Sequence, residues 1–381
     1  MIPRRFLPFL LAITGFLFNP LRLVPSKPSE PFDDHPLPLI DSNFPVHSNE
    51  SNAGNQSHQE SDAGSGYFSA CLLIMDDNHY LPEWLAYHYT FLPLRRLIVA
   101  VDPNSRTSPQ GVFDQFQDLI NITVWYKDEF DKGSSSYDED PIDAHRYRQM
   151  LFTEECTRTL KKEPSTTWVA YIDSDEYVVP NWEAKGNYLI SNYERGMTAL
   201  DIFRQNPHLN KYFKSPCFPM TRLPVTNHES PKEDVFRGVP GRINATSLMT
   251  MRYRFLRYMK PYLPGKSLID LSRVLESDIQ EDNHNVHRPI RTYCTEEDMW
   301  MKRQKSGLVV YHYPGTLDAF LFRNDPRKGR RSAEQYHQKF SNMTGAFEDD
   351  SAKFWVSDFA VKVGQSRAEE LLSGAGVIAK E

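Results

Sequence analysis

Asp173-Ser174-Asp175-Glu176 follows directly on the apolar run WVAYI, Trp168–Ile172. Side chains at i and i+2 of an extended segment point to the same side, so Asp173 and Asp175 can face one ion. Carboxylates joined by phosphate oxygens and water suit Mn²⁺ or Mg²⁺. An EF-hand is excluded, because Val178 stands where that loop needs its glycine and no glutamate occupies its twelfth position. An Asp-x-Asp pair is common in solvated turns. Its place after a buried strand favours metal–diphosphate binding instead. His312, in VVYHYPG after a late apolar run, supplies a third metal ligand, since a strand-end imidazole can project into a cleft. His287, in NVHRP, is placed to touch phosphate or acceptor. Lys266, in GKSLID, and Arg148, in RYRQM, can meet a diphosphate as point charges. Solvated turn and helix charges are the plainer reading of both.

These residues need a scaffold that brings strand ends together. From Tyr67 apolar runs alternate with helical periodicity: Ala70–Met75 as a strand, His79–Phe91 as a helix opened by Pro82 and Glu83, and Leu97–Val101 as a strand. A helix over Ser108–Leu119, a strand over Ile120–Tyr126, a helix over Pro141–Lys162 and the Trp168–Ile172 strand follow. The alternation predicts an α/β fold, Rossmann-like, with a mostly parallel sheet and flanking helices. Ligands of such sheets bind outside the carboxyl ends of the strands. Asp76, Asp77, Asp102 and Asp173 all stand at such ends. After Asp175 the pattern is irregular and proline-rich, until Leu308–Tyr311 reads as a late strand and Ser332–Phe340 and Ser366–Ser373 as helices. The loop Asp131–Asp143 reads as solvated acid.

The 381 residues include 44 Lys+Arg against 50 Asp+Glu, a net charge of −6, which argues against nucleic acid as the main partner. A mean hydropathy of −0.57 excludes a multi-span membrane protein. Arg4 and Arg5 precede an apolar stretch from Phe6 to Phe18, so residues 1–24 read as a signal peptide or signal-anchor. Residues 25–66, rich in Pro, Ser, Asn, Asp and Gly, read as a disordered stem. The five sequons at Asn49, Asn55, Asn121, Asn244 and Asn342 fit a secretory route. Cys71, Cys156, Cys217 and Cys294 allow three pairings, or stay buried as free thiols. None stands at zinc-site spacing.

The chain resembles glycosyltransferase family 92 and related GT-A enzymes. CLLIMDDNHYLPEWLAYHY, AVDPNSRTSP, WVAYIDSDEYV, PCFPMTRLPVTNHES, GKSLIDLSRV with NVHRP, and VYHYPG carry the likeness in order over residues 67 to 325. The resemblance implies a GT-A catalytic domain over 67–330, with 331–381 as a helical extension. It also implies a nucleotide-sugar donor, an inverting and often galactosyl transfer, and type II topology with Golgi placement. By the same resemblance Asp76 and Asp102 lie near the nucleotide, Asp173 and Asp175 bind metal, and His312 lies near it. Two segments depart from the family's pattern, Met75-Asp76-Asp77-Asn78 and His228-Glu229-Ser230, so the nucleotide edge and acceptor loop differ.

The expected activity is therefore metal-dependent sugar transfer to a glycan acceptor, with a carboxylate deprotonating the acceptor hydroxyl. Glu229, between Pro224 and Pro231, and Asp270, four residues beyond Lys266, compete for that role, and the Lys266 charge makes Asp270 the weaker base. A catalytically silent glycan-binding relative and a metal-dependent nucleotidyl- or phosphotransferase are the rival readings.

Overall fold

The computed structural model describes residues 66–131, 141–212, 215–236, 238–257, 263–279, 285–323 and 331–378. The 1–24 targeting segment, the stem up to residue 65 and the acidic loop over 132–140 lie outside the described residues.

The first half follows the alternation. The chain runs β1 (Phe68–Ile74), α1 (Leu81–Phe91), β2 (Leu94–Val101), α2 (Gln110–Phe116) and β3 (Asn121–Trp125). A single helical turn, α3 (Lys127–Phe130), then precedes the long α4 (Pro141–Lys162) and β4 (Trp168–Tyr171). β1 pairs parallel with β2 and β4, and β2 with β3. Such strands read as unbroken apolar runs because both faces are covered. In β2, Leu97 and Val99 join one apolar cluster with Trp84, Leu85 and Phe113, while Ile98 and Ala100 join a second with Phe152, Cys156 and Leu160 of α4.

The second half departs from a parallel sheet. β5 (Glu176–Pro180), β6 (Cys217–Pro224), β8 (Leu263–Asp270) and β9 (Leu308–His312) extend it to eight strands in the order β3-β2-β1-β4-β8-β6-β9-β5. β8 is antiparallel to β4 and β6, β5 is antiparallel to β9, and β6 is parallel to β9. β7 (Phe255–Arg257) and β10 (Ala346–Glu348) form a separate two-stranded ribbon. With these directions the carboxyl ends of β1, β2, β4, β6 and β9 share one edge with the amino ends of β5 and β8. Gly265 lets β6 and β8 approach closely there, since a Cβ would stand 2.5 Å from the Met220 carbonyl oxygen.

All four cysteines are paired, as Cys71–Cys156 and Cys217–Cys294, which replaces the free-thiol alternative. The bridges lie in the second apolar cluster and tie β1 to α4 and β6 to the segment before a short helix at Glu296–Met299. Residues 331–378 are not peripheral: Trp355, Phe359, Leu371 and Leu372 belong to the same cluster as Trp84 and Leu85 of α1. No helix of the described residues is long and apolar enough to cross a membrane.

The segment around α1 also carries buried titratable groups. His88 donates its Nδ1–H to the Trp84 carbonyl at 2.9 Å, and burial lowers its pKa to about 3. Burial, then the Arg323 charge, lowers that of His79 to about 4. Burial pushes Glu83 up to about 7, against hydrogen bonds from Thr250 and Met249. Each histidine gives stability that is full above its unfolded pKa, near 6.5, and is lost as pH falls towards the folded value. Glu83 has the opposite sign, contributing below 4.5 and losing that contribution as pH rises towards 7. Between pH 6.5 and 4.5 the unfolded chain thus holds close to two protons on these groups for the native chain's one, a loss on the order of 1 kcal/mol per pH unit from this segment. Urea midpoints across that range are expected to show H88Q with a slope shallower by about this amount; equal slopes would reject a neutral native His88.

Candidate active site

Asp173 and Asp175 occupy the turn between β4 and β5, at the shared strand-end edge. The indole Nε1–H of Trp84 donates to the Asp173 carbonyl at 3.0 Å, fixing the turn to α1. The buried carboxylate of Glu176 organises the rest. It accepts the Asp173 N–H at 2.9 Å and Arg222 Nη1 at 3.0 Å, and Lys266 Nζ lies 3.2 Å away. Lys266, itself wholly buried, also reaches Asp173 Oδ2 at 2.9 Å. The expected diphosphate contact therefore appears as an ion pair with the acid turn. Desolvation works to raise the Asp173 pKa, but the Lys266 charge prevails and holds it down to about 2.

On the other side of the turn, His312 at the end of β9 places Nε2 3.5 Å from Asp175 Oδ2. Arg323 lies 4.0 Å from the same oxygen and 3.7 Å from Asp77 Oδ1. Burial would raise the Asp175 pKa; His312, Arg323 and Arg222 together carry it well below the carboxylate range. Asp77 shows the reverse balance, burial outweighing Arg323 and raising its pKa. The backbone that presents His312 needs Gly315: at φ 68° a Cβ would meet the Tyr80 hydroxyl.

A cleft of about 460 Å³ opens over this turn. Its walls carry five cations, Arg146, Arg222, Arg257, Arg323 and Lys339, against Asp173 and Asp175. In a chain of net charge −6 this concentrates positive potential where a polyanion would lie. His287 lines the cleft and contacts the Gly265 carbonyl through Nδ1 at 2.9 Å. Burial, then Lys266 and Arg222, lowers its pKa to about 3. A neutral imidazole donating Nδ1–H to a carbonyl presents Nε2 as an acceptor.

Other expected site residues sit elsewhere. Asp76 adopts φ 58° at the end of β1 and accepts the Arg106 N–H at 2.7 Å and its Nε–H at 3.0 Å. Asp102 and Arg148, expected as separate nucleotide contacts, pair with each other at 3.2 Å, and His145 stands 3.1 Å from the same oxygen. Burial opposes ionisation of Asp102, yet His145, Asn104 and Arg148 lower its pKa. The Asp76 and Asp102 carboxylates are fully enclosed, and none of Asp76, Asp102 and Arg148 lines the cleft.

Asp270 is a correction. It pairs with Trp168 at the amino end of β4 and caps the next turn through Ser272 N at 3.1 Å. It stands four residues along β8 from Lys266, roughly 13 Å at about 3.3 Å per residue, on the far edge of the sheet. Glu229 stands three residues beyond the cleft-lining Thr226, exposed and held by Arg252 Nε at 2.9 Å. It is not itself among the lining residues. Sequence reasoning missed Glu176 as the hub, Arg222 as one of its cationic partners, and Arg323 between Asp77 and Asp175. Glu176 had one local signal, an acid opening the apolar run EYVV.

Comparison of the sequence with family models and with curated proteins returns no match. Among solved structures, the chain is similar to TarS 1-349 of S. aureus in complex with UDP (11% identity, 80% of this chain and 75% of that one, TM-score 0.33). It is also similar to the mannosyltransferase Ktr4p of S. cerevisiae in complex with GDP (12% identity, 78% and 86%, TM-score 0.30).

Proposed function

We propose that the chain is a glycosyltransferase that moves a sugar from a nucleoside-diphosphate donor to an acceptor hydroxyl. The observation that carries this reading is the ionised Asp173/Asp175 turn facing a cation-walled cleft at the strand-end edge. The cations would hold the donor's phosphates, and His287 Nε2 offers an acceptor for a sugar hydroxyl. Buried Glu176, by gripping Lys266 and Arg222, keeps the turn in one conformation.

A divalent cation, Mn²⁺ or Mg²⁺, is part of the proposal. Among the described residues no group of three or more His, Cys, Asp and Glu side chains is disposed around a metal. Asp175 and His312, 3.5 Å apart with the carboxylate held ionised, nevertheless fit as two of its ligands, with Asp173 adjacent and phosphate and water completing the set. When bound, the ion would neutralise charge on the departing diphosphate. Inversion and galactose as the sugar rest on the family resemblance alone. The test is incubation with labelled sugar nucleotides, with and without chelator, followed by product analysis. Sugar on the acceptor supports the reading; transfer of nucleotide instead, or donor binding with no turnover, overturns it.

The two disulfides and three exposed sequon asparagines, Asn121, Asn244 and Asn342, support placement in the secretory pathway behind the N-terminal anchor. Expressed in a eukaryotic cell, the protein is expected to lose mass on endoglycosidase treatment. An unglycosylated cytosolic product would end that assignment.

A further inference from the structure

A second cavity, of about 470 Å³, shares no lining residue with the cleft. β5 connects the two: Glu176 lies at the acid turn, and Pro180, four residues and roughly 13 Å on, reaches the second cavity. Its wall holds two large aromatic side chains that folding leaves open, Trp182 at 47% exposure and Phe354 at 45%. Tyr193 meets Trp182 edge to face at 4.6 Å, which braces the indole at the rim. Trp182 is held further by Nε1–H donation to Ser351 Oγ at 2.8 Å.

The polar groups around these rings narrow the ligand. Of the four acids in the wall, Glu348 pairs with Arg254 at 3.0 Å and Asp350 with Lys353 at 3.4 Å, while Asp349 and Asp358 bring hydrogen-bond acceptors and Arg195 brings donors. An anion would face four carboxylates against one lining guanidinium. A cation would find the Phe354 face already taken, since the Arg195 guanidinium lies 4.8 Å from that ring's centre. A neutral molecule with an apolar face and hydroxyls that both donate and accept matches all of these groups. We propose that this cavity binds a neutral pyranose unit of a glycan, its C–H face against Trp182 and its hydroxyls on Asp349, Asp358 and Arg195. It is a binding site apart from the reacting centre and requires no turnover in the cleft.

The test is retention of the purified full chain on an immobilised panel of neutral oligosaccharides built from glucose, galactose, mannose and N-acetylglucosamine. Wild type and D175N, the latter altered only in the cleft, are expected to be retained on the same glycans. W182A is expected to lose at least ten-fold in retention, and W182Y to recover part of it. Thermal melting confirms that W182A folds, and its sugar transfer to a small acceptor is expected to be unchanged. No retention of wild type, loss in D175N but not in W182A, or competition by tetramethylammonium would overturn the proposal. Retention without any sugar transfer by wild type would instead remove the transferase reading and leave this site standing.

Discussion

Replacing Asp175 with alanine is expected to slow sugar transfer by on the order of 10³-fold or more while the protein still folds. The carboxylate lies 3.5 Å from His312 and 4.0 Å from Arg323, and these neighbours with Arg222 keep it ionised and available to a cation. Without it the cleft keeps its arginines but loses an anion able to hold a metal. Donor binding is therefore expected to suffer far less than the rate. Asp173→Ala is a poorer probe. Its carboxylate pairs with buried Lys266, so its removal leaves that ammonium dependent on Glu176 and threatens the fold as well as the chemistry. Initial rates at saturating donor, with and without added Mn²⁺, and a melting curve provide the measurement. A D175A rate within three-fold of wild type would remove this carboxylate from the mechanism.

The second large effect is expected at Glu229, the stronger of the two bases the sequence offers, three residues beyond the cleft-lining Thr226. Glu229→Gln keeps an oxygen able to accept from Arg252, so the local geometry is retained, but the amide cannot take up a proton. Transfer should fall by roughly 10²- to 10⁴-fold with donor affinity nearly unchanged. Single-turnover transfer and separate donor titration distinguish the two quantities. Normal transfer, or loss confined to donor binding, would exclude the role.

The parts of the fold that were legible are those where burial on both faces produced simple patterns. ACLLIM and LIVAV could be read as strands because no charge interrupts them, and the Pro141–Lys162 helix emerged with its boundaries intact. β6 and β8 were hidden for a physical reason. Pro219 and Pro224 remove ladder donors from β6, and its register with β8 shifts between Met220 and Arg222. Buried Lys266 and the partly buried Arg222 break the apolar runs on which strand reading depends. Those charges are stable there because Glu176 answers both, a pairing between segments that local spacing does not encode. The same limit applied to the site. Asp173, Asp175 and His312 carry strand-end signals in the sequence, whereas Arg323 follows the short helix Leu317–Phe322 with no pattern to mark it. Asp270 misled because distance along a strand, not proximity in sequence, decides which edge a residue occupies.

The late helix at Trp355–Val363 bears on the order of events during synthesis. Lys362 donates to the Thr90 carbonyl across 272 residues of chain, and Trp355 and Phe359 share an apolar cluster with Trp84 of α1. At about 5–20 residues per second, the partner for that face of α1 leaves the ribosome on the order of 10–50 s after α1 itself. Through that interval the helix that anchors the Asp173 carbonyl presents uncovered apolar surface, a ready hold for chaperones. A nascent chain interrupted near residue 331 would carry almost every cleft residue and still be unable to bury the helix beneath them.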